Sequence, residues 1–123
     1  MMSRMIGMAV ALMAASSSVS ANAQDAAAGG VTFKQRCMMC HTITAGQQGT
    51  TGPNLRGVGG RQAGSTTFPY SNALKRANVR WTAPNLETFL TAPNKMVPGT
   101  RMVVAISDEK KRAEVVAYLM SLK

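Results

Sequence analysis

Near the C-terminus Val115, Val116, Leu119 and Leu122 recur at helical spacing, with Lys110, Lys111, Glu114 and Lys123 on the opposite side. Ser107 is placed to cap this helix, and Asp108 and Glu109 suit its electropositive first turn. A second apolar stripe, Leu86, Phe89 and Leu90, predicts a helix that starts at Thr82, tolerates Pro84 in its first turn and stops before Pro93. A short helix over 71–77 takes Ser71 as its cap. Residues 28–40 read as a further helix, with Asp25 as N-cap and Gly29 and Gly30 weakening it.

Between these elements the pattern breaks down. Residues 45–65 are dense in Gly, Thr and Gln with no sustained apolar period, and so predict a long loop. A structureless run of that length in a compact domain is usually functional. Residues 92–100 hold Pro93, Pro98 and Gly99, which predict an extended, tightly turned loop rather than helix. No segment alternates strongly enough to predict a strand and no repeat is present, so the chain reads as all-α.

The first 23 residues read as an export signal. Arg4 supplies the positive end, residues 5–15 form an 11-residue apolar or small stretch, and Ala21-Asn22-Ala23 matches a cleavage site. That stretch falls short of the about 20 residues needed to span a bilayer, so no stable membrane anchor is expected. Cleavage leaves one domain, residues 24–123. Setting Arg4 aside, 13 Lys and Arg stand against five Asp and Glu, a formal charge of +8. The six aromatic residues are few for an apolar core of this size, which leaves room for a bound apolar group.

Both cysteines and the only histidine of the chain lie in Cys37-Met38-Met39-Cys40-His41. On a helix Cys37 and Cys40 are three apart, and Phe33 and His41 each lie four from Cys37, so these four share one face. Cys-x-x-Cys-His is the attachment signature of c-type haem: two thiols bond to one edge of the porphyrin and the imidazole approaches the iron. Competing chemistries fit less well. Structural zinc takes about four ligands and only three are at hand. A thioredoxin-like dithiol follows a strand that is missing here, and a disulfide closing so short a loop would add little stability. Export agrees with this reading, because thiol chemistry of this kind belongs to an oxidising compartment.

With the single histidine used, a second axial ligand has to come from methionine or lysine, or the position stays open. Of the five methionines beyond residue 23, Met38 and Met39 are tied to the attachment side and Met120 suits core packing. Met96 and Met102 both flank the Pro98-Gly99 turn, and the residues alone favour Met102 only slightly.

The order of short motifs carries a resemblance over about residues 29 to 123. After C-M-M-C-H come T-G-P-N-L at 51–55, Gly60-Arg61, F-P-Y-S-N-A at 68–73, Trp81, V-P-G-T-R-M ending at Met102, and A-Y-L at 117–119. In this order they resemble the class I cytochromes c, close to the compact mitochondrial type and its bacterial relatives. The resemblance implies a small single-domain fold of three to five helices wrapped by loops around one covalent haem c and its iron. It further implies Met102 as distal ligand to His41, and the Pro53 carbonyl as acceptor for the His41 Nδ1 proton. Arg61, Tyr70 and Trp81 match positions that hold the haem propionates, and Thr100 adds a hydroxyl near the distal side. Two positions depart from the family pattern. Phe89 stands where relatives commonly carry a tyrosine, which removes a hydrogen bond toward the methionine sulfur, and Leu74 stands where a polar residue often organises buried water.

A haem iron with both axial positions filled leaves no open site for substrate, so the expected function is electron transfer and not catalysis. The expected protein is a monomeric periplasmic carrier in a respiratory or photosynthetic chain. Its partners would present acidic docking surfaces: a quinol-oxidising complex, a terminal oxidase, a reaction centre or a dehydrogenase. Lys34, Arg36, Lys75, Lys95, Arg101, Lys110 and Lys111 are expected near the haem crevice, where they would steer such encounters. A haem-based ligand sensor or peroxidase-like protein with a labile methionine is the alternative from another class, and an electron-accepting subunit of a periplasmic dehydrogenase differs only in partner. The charge alone points to nucleic acid, but without a basic run or binding motif no nucleic-acid partner is expected.

Overall fold

The computed structural model describes residues 14–16 and 21–123, and most of the expected export signal, residues 1–23, lies outside them. Five helices follow along the described chain: α1 (Ala21–Arg36), α2 (Asn72–Arg76), α3 (Ala83–Thr91), α4 (Pro93–Met96) and α5 (Glu109–Ser121). Among the described residues the one β pairing is an isolated antiparallel bridge between Gln62 and Arg80. The fold is therefore all-α, with helices at the upper end of the expected number. No helix among them is long and apolar enough to cross a membrane.

Helix α2 takes the cap expected from sequence, and Thr82, expected as the first residue of α3, is its cap. Ser71 Oγ accepts from the Leu74 amide at 3.1 Å, and Thr82 Oγ1 accepts from the Asn85 amide at 3.3 Å. Such caps relieve amides that have no intrahelical partner and contribute about 1 kcal/mol each. In α3 the expected face, Leu86, Phe89 and Leu90, is buried.

Other boundaries differ from the sequence expectation. Asp108, not Ser107, caps α5, its carboxylate accepting from the Lys111 amide at 2.9 Å. A charged acceptor at an electropositive helix end outcompetes a neighbouring hydroxyl. Helix α1 starts at Ala21, so Asp25 lies inside it and caps nothing; the alanine-rich composition carries the helix past that position. It also ends at Arg36 rather than at residue 40. Beyond Arg36 the chain keeps winding in looser turns: the Cys37 and Met38 amides both reach the Phe33 carbonyl, and the Cys40 and His41 amides both reach that of Cys37. This winding preserves the face shared by Phe33, Cys37, Cys40 and His41. Finally, residues 92–100 are not wholly loop. Pro93 occupies the first position of the one-turn helix α4, where its missing N–H is not needed, and Ala92 is held extended before it. The tight turn follows at Pro98-Gly99, where Gly99 has φ +92°.

The glycines expected to weaken α1 instead set the main helix crossing. A Cβ on Gly29 would lie 1.9 Å from the Glu114 carbonyl oxygen, so the backbones of α1 and α5 meet there directly. One residue on, Gly30 lies against the Tyr118 ring, which also packs on Phe33 at a centroid distance of 5.2 Å. Phe33 and Val115 are fully buried beside this crossing, each burial stabilising by about 1.5–3 kcal/mol. The crossing anchors the end of α1, and with it the Cys-x-x-Cys-His turns.

Candidate functional site

A cavity of about 560 Å³ opens between the end of α1, the loop behind His41, residues 68–74 and the strap 100–104. All nine residues singled out by sequence line it: Cys37, Cys40, His41, Pro53, Arg61, Tyr70, Trp81, Thr100 and Met102. They come from four stretches of chain that only folding brings together.

On one wall, the Gly52 amide bonds to the Cys40 carbonyl at 2.7 Å and the Leu55 amide to that of Thr42 at 2.8 Å. These two bonds stitch residues 52–55 alongside 40–42 and set the Pro53 carbonyl 2.8 Å from His41 Nδ1. A carbonyl only accepts, so Nδ1 carries the proton and Nε2 keeps its lone pair. Burial lowers the pKa of His41, the Pro53 acceptor partly restores it, and the charge of Arg61 lowers it further. The imidazole is thus neutral at neutral pH, the form that binds a metal. Cys37 and Cys40 are not joined to each other by a disulfide, and burial raises the pKa of the Cys37 thiol, offset in part by Arg36.

Gly52 was not singled out by sequence, and its reason is steric. A Cβ there would lie 2.5–2.9 Å from three atoms of the His41 ring. Its signal was present in T-G-P-N-L, but only the fold shows that the missing side chain makes room for the imidazole. Gly52→Ala is expected to displace the ring, weaken its bond to Pro53 and cost about 1–3 kcal/mol, the scale of overpacking. Denaturant titration of wild type and variant measures this; equal midpoints would contradict it.

The methionine ambiguity is resolved by position. Among the methionines of the described residues, only Met102 lines the cavity. Met96 packs against the apolar core away from it, Met120 lies over Gly59, and Met38 and Met39 are exposed. The strap carrying Met102 is tied at both ends by guanidinium groups: Arg101 donates to the Pro69 carbonyl at 3.1 Å and Arg36 to that of Ala105 at 3.1 Å. Arg36 therefore joins the wall bearing the thiols to the strap facing it.

The remaining polar residues are held from behind. Arg61 donates to the carbonyls of Asn54 at 3.0 Å and Arg56 at 3.3 Å, and the Tyr70 hydroxyl pairs with that of Thr66. Thr66 is a partner that sequence reading missed, since nothing in the local pattern links it to Tyr70. Trp81 stacks at a tilt on Phe89 with centroids 5.0 Å apart, and Thr100 is buried. Phe89 and Leu74 both line the cavity, so the two departures from the family pattern fall on its wall and make it more apolar. Of the seven cations expected at the crevice, Arg36 and Arg101 line it, while Lys34, Lys75, Lys95, Lys110 and Lys111 are exposed but do not.

A group that fits here is flat, largely apolar and acidic at one edge, with reactive carbons to meet two thiols. The cavity has the size of a small-molecule site, its floor is Phe33, Leu86, Leu90 and Val115, and its donor set is one imidazole, one thioether and two thiols. That donor chemistry suits haem iron and covalent attachment. Comparison with known proteins gives the same result. The family model "Cytochrome c" matches residues 26–123. Cytochrome c of Theileria annulata is 43% identical over 96 residues, covering 77% of this chain and 84% of that protein. Cytochrome c2 of Blastochloris viridis is 39% identical over 107 residues, covering 85% and 84%. Among solved structures, cytochrome cH from Methylobacterium extorquens superposes with a TM-score of 0.71 at 41% identity, over 77% of this chain and 96% of that one. The chain accordingly belongs to the cytochrome c family, as an electron carrier built on one covalently bound haem c.

Proposed function

We propose that residues 24–123 form an exported carrier of single electrons, non-enzymatic, in which Cys37 and Cys40 anchor the haem and His41 and Met102 are its two axial ligands. One observation carries this reading: Met102, alone among the methionines of the described residues, shares the cavity with the Pro53-oriented imidazole. Bound haem supplies the one-electron iron couple. The chain's own residues set its character. Pro53 holds the Nδ1 proton of His41 and so raises the basicity of Nε2. A thioether at Met102 favours the reduced state relative to a second nitrogen ligand. The apolar wall, with Phe89 and Leu74 in place of polar groups, limits water at the centre. Arg61, braced by two carbonyls, with Tyr70 and Trp81, would hold the propionate edge, and Thr100 would add a hydroxyl near the distal side. With both axial positions taken, no coordination site remains for a substrate.

Export to the periplasm is supported by the signal-like residues 1–23 and by the bacterial relatives named c2 and cH. The partners we assign are acidic redox proteins, with a quinol-oxidising complex as donor and a terminal oxidase or reaction centre as acceptor. The basis is charge at the cavity mouth: Arg36 and Arg101 line it next to Val103, which is 78% exposed, and apolar contact ringed by cations suits brief redox encounters. Between 0.01 and 0.15 M salt the screening length falls from about 30 to about 8 Å, and bimolecular electron transfer to an acidic partner is expected to slow by about tenfold or more over that range. Stopped-flow kinetics tests this, and a rate indifferent to salt would remove the docking assignment.

A further inference from the structure

A second, smaller cavity of about 340 Å³ lies beside the first, formed by the loop 45–49, Asn54, Arg56, Arg61 and residues 66–68. No acidic side chain lines it. The scarcity extends well beyond the pocket, because residues 26–86 contain seven Lys and Arg and no Asp or Glu. The one ion pair among the described residues, Arg112 with Glu87, does not involve the pocket.

Arg56 is positioned without being neutralised, whereas Arg61 is the cation already assigned to the propionate edge. Arg56 Nη1 donates to the Ile43 carbonyl at 3.4 Å, and Arg61 uses Nη1 and Nη2 on the carbonyls of Arg56 and Asn54. Carbonyls orient a guanidinium but leave its charge uncompensated. Among the described residues, Nε and Nη2 of Arg56 have no hydrogen-bond partner, and neither do the side-chain amides of Gln47 and Gln48 or the Thr67 hydroxyl. Asn54 makes the pocket rigid: Nδ2 donates to the Thr44 and Gln47 carbonyls at 2.7 Å each, and Oδ1 accepts from the Arg56 amide at 2.8 Å. Arg61 lines both cavities, whereas Arg56 lines only the smaller one. Arg56 is therefore the cation that the haem-binding reading does not use.

We propose that this pocket binds a phosphate-type dianion, with Arg56 as its principal contact and Gln47, Gln48 and Thr67 around it. A guanidinium fork matches phosphate oxygens in pairs, and the surrounding amides and hydroxyl supply further donors. The anion would be either inorganic phosphate or the phosphate group of a small metabolite, for which the cavity also has room. This binding does not depend on which residues ligate the iron.

The test is a titration of the reduced, haem-loaded protein, labelled with ¹⁵N, with inorganic phosphate and separately with glycerol 3-phosphate, sodium chloride holding ionic strength constant. Amide shifts are expected at 45–49, 54–56 and 66–68. Arg56→Gln should weaken binding about tenfold, the scale of losing a charge-assisted donor, while Arg76→Gln, on α2 outside both cavities, should change it less than about twofold. Tighter binding of glycerol 3-phosphate identifies an organic phosphate as occupant, and equal binding identifies the inorganic ion. Shifts spread over the lysines of α5, equal losses in the two variants, or the same shifts with chloride alone would overturn the proposal. The wild-type shift map decides the matter even if the Arg56 variant fails to fold.

Discussion

Met102→Ala is expected to lower the reduction potential by on the order of 0.1–0.2 V, within the roughly 0.8 V that axial ligands command. The fall follows from what replaces the thioether. Water or an added nitrogen base donates more strongly to ferric iron than methionine sulfur does, so the oxidised state gains. Met96 cannot substitute, because it packs against the core and does not line the cavity. The same variant should lose the long-wavelength ferric band of sulfur ligation and bind added imidazole or cyanide rapidly. Met96→Leu should leave band and potential unchanged. If Met96→Leu abolishes the band and Met102→Ala keeps it, the distal assignment is wrong.

The largest effect on stability is expected far from the iron. Gly29→Ala places a methyl group 1.9 Å from the Glu114 carbonyl oxygen, where both neighbours are backbone and neither can rotate away. Alanine favours helix over glycine by about 1 kcal/mol, but overpacking of this kind costs about 1–3 kcal/mol and occasionally more. The crossing must open by more than an ångström to accept the methyl, so the cost wins. A net loss of about 2–3 kcal/mol would lower Tm by roughly 10–20 °C in a domain of this size. Gly30→Ala, which meets only the edge of the Tyr118 ring at 3.1 Å, should lose far less, because a ring can shift. Thermal unfolding of both haem-loaded variants checks the contrast, and similar Tm values for the two would refute it.

Gly29 also shows where sequence reading stops. As a helix residue in isolation it is a weakness; its value lies in a contact with Glu114, 85 positions away, that no local pattern encodes. Gly52 is the same case at the iron-binding wall. What was legible in the sequence was local: the cap at Ser71, the start of α3 at Thr82, the buried stripe of α3 and that of α5 apart from Leu122, which lies just past the helix and is half-buried, and the clustering of the two cysteines with the only histidine. The cap of α5 slipped by one residue because Ser107 and Asp108 are both acceptors, and only the backbone shows which one faces the open amides. Helix α4 was missed because proline was read as a breaker where it serves as a first residue. Met102 was separable from Met96 by family resemblance, and the structure supplies the physical ground by placing only one of the two on the cavity wall.

The central claim is a closed centre with imidazole on one side and thioether on the other, and the optical redox titration of the haem-loaded protein tests it most directly. The account predicts a low-spin ferric spectrum with the sulfur band, its loss in a single one-electron step, and a positive reduction potential. A high-spin ferric spectrum without that band, together with a negative potential, would contradict it.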